Sequence, residues 1–293
     1  MSQPSSSPSR QTVPSVRSRK VRDGSEPLVM VTAYDAPGAR MADEAGVDMI
    51  LVGDSLAMVV LGYDDTLQVT IDDMAHHVAA VSRARPRPLV VGDLPWMSYH
   101  VSTEDTVRNA AALVKSGAQA VKLEGGRKRV RMIGAIIDAE IPVMGHLGLT
   151  PQSMHAMGGF KVQGRDQSAA LALVEDAQHL EDAGCFAIVL EGVPDEVARM
   201  VTNAVAVPTI GIGAGPWCDG QVLVYHDLLG LEDRITPKFV RRYGSLKEDA
   251  VAAMTQFADD VRARRFPSDD ESYHLSSETA EALGLYGSAT KTA

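Results

Sequence analysis

Eight short runs of β-branched and aliphatic residues recur along this chain, and stretches with helical spacing of apolar positions separate most of them. The runs are "PLVMVTAYD" (27–35), "VDMILVGDS" (47–55), "PLVVGDLP" (88–95), "AQAVKLEGG" (118–126), "IPVMGHLG" (141–148), "CFAIVLEGV" (185–193), "VPTIGIGAG" (207–215) and "GQVLVYHDLLG" (220–230). Between them lie segments such as "TIDDMAHHVAAVSRAR", with Thr70 placed to cap it, and "STEDTVRNAAALVKSG", with Ser102 or Thr103 in that role. Strand-then-helix alternation requires parallel strands joined by right-handed crossovers. Eight such units in about 250 residues predict an α/β fold of the (β/α)8 TIM-barrel type rather than an open, doubly wound sheet. The connection from the seventh run to the eighth shows no full helix and is the weakest joint of this reading.

The flanks differ from the centre. Residues 1–26 are rich in Ser, Pro and Arg and nearly lack large apolar side chains, which predicts a flexible tail. Prolines interrupt this segment and no apolar helical face appears, which weighs against a transit peptide. The expected layout is a tail over 1–26, one barrel over 27–274 and a second tail over 275–293. A net charge of −10 over 293 residues disfavours nucleic acid as a partner. No apolar run approaches the length needed to cross a bilayer. The two cysteines, Cys185 and Cys218, are far apart and form no CxxC pair, which points to a reducing cytoplasm and to neither a thiolate zinc site nor a disulfide framework.

In a parallel barrel, chemistry gathers where the strands end. Asp35, Asp54, Asp93, Glu124, His146 and Glu191 each follow an apolar run, on the first six strands. Asp54, Asp93, Glu124 and Glu191 should therefore meet on one rim, where bare carboxylates repel and a divalent cation relieves the repulsion. Carboxylate oxygens with no Cys and at most one His favour a hard ion such as Mg²⁺. Lys122 lies two residues before Glu124, so both face the barrel interior, and a lysine beside such a centre can hold a substrate carboxylate. Metal and lysine together read as a site for a small oxo-acid. Any one of these acids taken singly fits a turn or a cap as well, and Asp35 in particular may cap the first helix. His76 and His77 fall in a helical pattern and read as structural, while His226 and Asp227 receive no role. "GIGAG" lacks the rest of a dinucleotide fingerprint and reads as tight turning. The "KRVR" near residue 130 reads as a solvated helix face.

Nine blocks occur in one order: "VTAYDA", "LVGDSLAM", "DLPWMSY", "VKLEGG", "GHLGLTPQS", "GGFKVQGR", "VLEGVP", "IGIGAG" and "CDGQVLVYHD". Together they resemble the ketopantoate hydroxymethyltransferase family over residues 27 to 274. The resemblance implies a barrel of the phosphoenolpyruvate/pyruvate-type superfamily and a decameric homo-oligomer. It implies a Mg²⁺ ion and 5,10-methylenetetrahydrofolate as the donor of a hydroxymethyl group to 3-methyl-2-oxobutanoate, giving 2-dehydropantoate on the way to pantothenate. Transferred onto this sequence, the family's metal ligands fall on Asp54, Asp93 and Glu124. Its oxo-acid contacts fall on Asp54, Ser55, Asp93 and Lys122, and its general base on Glu191. His146 takes the place of the family's active-site histidine, a polar neighbour of substrate. Ala36, Ala57 and Asp166 depart from the family's pattern, and Asp166 leaves the geometry of its loop open. The rival readings are a Mg²⁺-dependent carbon–carbon lyase or mutase of the same superfamily acting on another 2-oxo acid, and a barrel that serves as a non-catalytic scaffold.

Overall fold

The eight apolar runs become eight parallel strands that close on themselves in chain order. They are β1 (Leu28–Thr32), β2 (Met49–Val52), β3 (Leu89–Asp93), β4 (Ala120–Glu124), β5 (Val143–Gly148), β6 (Ala187–Glu191), β7 (Thr209–Ile212) and β8 (Gly220–Leu223). Closure is direct, with Leu28 of β1 in register with Gly220 of β8. The computed structural model describes residues 10–285, apart from 233, 235 and 236. The compact unit that contains the barrel runs through Gly244.

Helices alternate with the strands as the apolar spacing requires. In chain order they are α1 (Val13–Arg17), α2 (Ala36–Glu44), α3 (Leu56–Val59), α4 (Ile71–Arg83), α5 (Thr103–Lys115), α6 (Val130–Asp138), α7 (Met154–Met157), α8 (Gln167–Asp182), α9 (Asp195–Ala204) and α10 (Tyr225–Leu229). Their starts obey local chemistry. Thr70 and Asp73 form a reciprocal capping box on α4, and Ser102 caps α5. Asp35 caps α2 by accepting the Gly38 N–H at 2.7 Å, which is the structural role open to it from sequence. Asp166 caps α8 by accepting from Ala169 N, so its departure from the family pattern serves the helix that follows the loop. Residues 213–219 connect β7 to β8 without a helix. The eighth run is shorter as a strand than its apolar length suggests, because Tyr225–Leu229 turns into α10.

Two apolar layers result. Outward-facing Ile50, Val90, Val121 and Leu123 pack with helix residues such as Val78 and Leu113. Inward-facing Leu28, Met30, Met49, Leu51, Leu89, Val91, Ala120, Val189 and Ile210 fill the barrel.

The N-terminal reading requires a correction. Residues 10–26 are not a loose tail. Val16 of α1 is fully buried in the interior cluster of the barrel, with Val13 packed beside it. Lys20, 2% exposed, donates to Asp219 Oδ2 at 2.7 Å, Thr202 O at 2.9 Å and Val207 O at 3.1 Å. Composition missed this because two valines and one lysine suffice when the barrel offers an open floor and a buried carboxylate. Residues 1–9 lie outside the described residues.

The C-terminal boundary also moves. Residues 245–285 form a unit of their own, not the end of the barrel domain. It consists of α11 (Leu246–Arg262), a turn fastened by Arg265 to Asp260 at 2.8 Å, and α12 (Ser277–Ala282), capped by Ser276. Part of the expected C-terminal tail is therefore helical, with Ala280 buried. Residues 286–293 lie outside the described residues.

Candidate active site

Strand periodicity builds the site. Every second residue of β4 points inward, so Ala120 belongs to the apolar filling while Lys122 and Glu124 form the layer above it. The same step places Asp93 above Leu89 and Val91, and Glu191 above Ala187 and Val189. Register aligns Asp93 with Lys122, and Glu124 with His146. Asp54 follows β2 and joins the layer through its N–H, which donates to Asp93 Oδ2 at 3.2 Å. Asp54, Asp93, Lys122, Glu124 and His146 are all at most 5% exposed. A glycine makes the β5–β6 edge possible. At Gly148, φ is +96° and a Cβ would lie 2.2 Å from Glu191 O.

The polar atoms form one chain of contacts. Lys122 Nζ lies 2.8 Å from Asp93 Oδ2 and 3.4 Å from His146 Nδ1. The His146 ring stands between two carboxylates, with Nδ1 3.4 Å from Glu124 Oε1 and Nε2 3.2 Å from Glu191 Oε2. Ser55 Oγ is 2.9 Å from the Tyr34 hydroxyl. Sequence reasoning brought Asp54, Ser55, Asp93, Lys122, Glu124, His146 and Glu191 to one rim, and the structure places all seven there.

The residue that ties this layer together was not among them. Gln152 donates from its amide to Asp54 Oδ2 at 2.8 Å and to Leu94 O at 3.0 Å. Its backbone N–H donates to Glu124 Oε2 at 3.1 Å, and its Oε1 accepts from the Tyr99 hydroxyl at 2.6 Å. A primary amide donates and accepts at once, which is what a buried junction between carboxylates and a phenol demands. The signal available in sequence was its place in "GHLGLTPQS", directly after β5.

The electrostatics follow from burial. Burial, with the Glu124 charge added, raises the Asp54 carboxyl to about 6. Burial raises Asp93 to about 7, against the opposing pull of Lys122. Burial also opposes charge on Lys122, but Asp93, Asp54 and Glu124 outweigh it and hold the ammonium protonated. For His146, burial and the Lys122 charge press downward, and contacts with Glu124 and Glu191 raise it to about 9.

These residues suit a hard cation. Oxygen donors dominate, and Asp93 Oδ1 is buried without a hydrogen-bond partner. Among the described residues, however, no three His, Cys, Asp or Glu side chains already stand as a cation cage. The expected triad of Asp54, Asp93 and Glu124 shares one rim, with Lys122 occupying an oxygen of Asp93 and Gln152 one oxygen each of Asp54 and Glu124.

A closed parallel barrel with buried carboxylates, a charged lysine and a histidine at the strand ends defines a barrel enzyme for a small oxygen-rich anion. The sequence model for ketopantoate hydroxymethyltransferase matches residues 10–269. The chain is 57% identical over 266 residues to 3-methyl-2-oxobutanoate hydroxymethyltransferase of Moorella thermoacetica, covering 90% of this chain and 98% of the relative. It is 50% identical over 283 residues to 3-methyl-2-oxobutanoate hydroxymethyltransferase 2 of Bradyrhizobium diazoefficiens, covering 97% and 96%. The chain belongs to the ketopantoate hydroxymethyltransferase family. Among solved structures, 2,3-dimethylmalate lyase, titled a member of the PEP mutase/isocitrate lyase superfamily, matches with a TM-score of 0.56 and 20% identity, covering 95% of this chain and 96% of that one. Phosphonopyruvate hydrolase in complex with oxalate and Mg²⁺ matches with a TM-score of 0.58 and 15% identity, covering 94% and 95%. At these identities the likeness establishes the fold. Among the described residues, no helix is long and apolar enough to cross a membrane.

Proposed function

We propose that this chain transfers a hydroxymethyl group from 5,10-methylenetetrahydrofolate to 3-methyl-2-oxobutanoate, yielding 2-dehydropantoate and tetrahydrofolate for pantothenate biosynthesis. The observation that carries the reading is the row of buried Asp93, Lys122, Glu124 and His146 and partly exposed Glu191 on consecutive strands, with Asp54 joined to it. The hydrogen at C3 of the oxo-acid is far too weak an acid to leave unaided at neutral pH, so the site must hold the anion, accept the proton and stabilise the resulting charge.

Lys122 binds the substrate carboxylate, fixing C3 relative to the rest of the layer. Ser55, oriented by Tyr34, donates to a substrate oxygen. Glu191, whose side chain is 18% exposed against 3% for His146, is open to a bound substrate and takes the proton from C3. His146 spans Glu124 and Glu191 and holds the base in place. Asp54, Asp93 and Glu124 are the residues that would hold Mg²⁺. When bound there, the ion supplies Lewis acidity toward the keto oxygen.

The atom balance constrains the second half of the reaction. C3 becomes quaternary when the new carbon–carbon bond forms, so no later elimination at that carbon can exchange nitrogen for oxygen. One water therefore supplies the hydroxyl oxygen, and the one-carbon unit leaves the folate at the oxidation level of formaldehyde. A cytoplasmic location is supported by the free, buried thiols of Cys185 and Cys218. A homo-oligomer is supported by α11, which exposes Val251, Met254, Phe257 and Val261; the decamer follows the family resemblance.

Deuterium wash-in at C3 tests the assignment. Glu191→Gln should bind Mg²⁺ and the oxo-acid yet lose exchange by roughly 10²- to 10⁴-fold. Undiminished exchange would remove Glu191 from the role. Retro-aldol cleavage of a 2-oxo acid in place of folate-dependent transfer would favour a lyase.

A further inference from the structure

The oxo-acid and a cation account for the charged layer, which leaves the bicyclic ring of the folate to be placed. A cavity of about 260 Å³ lies on the β1 and β8 side of the rim. Tyr34, Asp35, Val60, Tyr225, His226 and Leu231 are among its walls. We propose that this cavity binds the reduced pterin of the one-carbon donor, an inference that rests on the function proposed above.

Position is the first argument. Tyr34 belongs to both places. The residue lines the cavity, and its hydroxyl is 2.9 Å from Oγ of Ser55, the neighbour of Asp54. The cavity is thus one side chain away from the oxo-acid site. The methylene bridges a nitrogen at the edge of the pterin ring and the nitrogen of the aminobenzoyl group, so that edge of the ring must lie beside the oxo-acid, whereas the glutamate end can extend away from it.

Size and lining are the second. Cavities for whole drug-sized ligands begin near roughly 300 Å³, so 260 Å³ suits a bicyclic fragment. The Tyr34, His226 and Tyr225 rings lie 5.5 and 5.3 Å apart in succession, and with Val60 and Leu231 these residues give the cavity a largely apolar, aromatic lining suited to the flat pyrimidine half of the bicycle. A pterin also needs its edge satisfied, where an amino group and an N–H stand beside a carbonyl. Asp35 Oδ1 holds the Gly38 N–H, which leaves Oδ2 to accept from such donors. His226 lines the same cavity and brings an imidazole to the ring's edge. Burial keeps that imidazole neutral, with one donor and one acceptor nitrogen. The cavity beside β4 has a different character. Its walls are charged, with Arg127, Lys128 and Arg129 beside Glu124 and Asp176, and offer no aromatic ring.

Asp35→Asn, His226→Phe and Val60→Trp separate the two halves of the reaction. The first keeps an oxygen for the Gly38 cap, the second keeps a ring, and the third fills the cavity without touching a hydrogen bond. Each protein is assayed for deuterium exchange at C3 of 3-methyl-2-oxobutanoate with Mg²⁺ and no folate. Each is also assayed in the full reaction for its Michaelis constant toward the folate donor, and for tetrahydrofolate binding by calorimetry. The expected result is intact exchange and an unchanged Michaelis constant for the oxo-acid, with the Michaelis and dissociation constants for folate raised roughly tenfold or more. Folate constants that stay at the wild-type level in all three variants overturn the proposal, as does loss of exchange together with transfer in all three. A wild-type enzyme that neither exchanges C3 nor transfers the one-carbon unit would instead sink the functional reading beneath it.

Discussion

Lys20→Met is the sharpest test of how this barrel is closed at its floor. The substitution keeps the length of the side chain and removes its charge and donors. Three acceptors lose their partner: Asp219 Oδ2, Thr202 O and Val207 O. Lys20 and Asp219 side chains are 3% and 2% exposed, so water does not replace the lost ammonium without opening the structure. Breaking one side of a buried ion pair costs about 3–5 kcal/mol. Asp219 keeps the backbone N–H groups of Val21 (2.9 Å) and Thr209 (2.9 Å), which places the expectation near the lower end, at about 3 kcal/mol. For a domain of this size that is a fall in Tm of roughly 6–12 °C, read by thermal melting followed by circular dichroism. Removing residues 1–24 should cost more, because Val16 then leaves the interior too, at roughly 1.5–3 kcal/mol for a fully buried aliphatic side chain. If both proteins melt within about 2–4 °C of the parent, the N-terminal segment is a passenger and the reasoning fails.

Gln152→Leu should weaken Mg²⁺ or Mn²⁺ binding by roughly 10- to 100-fold, since it removes the amide that fixes Asp54; calorimetry reads this, and an unchanged affinity refutes it. Cation binding should also depend on pH, because the ion needs ionised carboxylates and burial holds Asp54 near about 6 and Asp93 near about 7. Affinity should therefore rise with pH through those values and then level off, with protons released on binding near pH 6; a flat profile across that window would contradict the assignment. Gly148→Ala should destabilise the barrel by more than about 1 kcal/mol in urea unfolding, because the added methyl meets Glu191 O in a left-handed backbone conformation. A neutral outcome would show that β5 and β6 can shift apart there.

The one-dimensional pattern determined a great deal. Alternation of apolar runs and amphipathic stretches dictated a parallel barrel, because both the strand period of two and the helical period near four are properties of neighbouring residues. The same period carried Lys122 and Glu124 to one side of β4, and strand ends carried Asp54, Asp93, His146 and Glu191 to the same rim. Caps at Thr70 and Ser102 were legible for the same local reason. Other features depended on residues far apart in the chain. Lys20 and Asp219 are 199 positions apart, and Asp54 and Gln152 are 98 apart. Whether a lysine in a Ser/Pro-rich segment is solvated or buried, and whether a glutamine after a strand is a loop residue or a junction, depends on which acceptor the closed barrel brings to it. Local patterning set which faces are apolar and where the strands stop. Only tertiary closure decided which polar atoms became partners, because a buried donor is worth keeping only where the fold delivers an acceptor within hydrogen-bond reach.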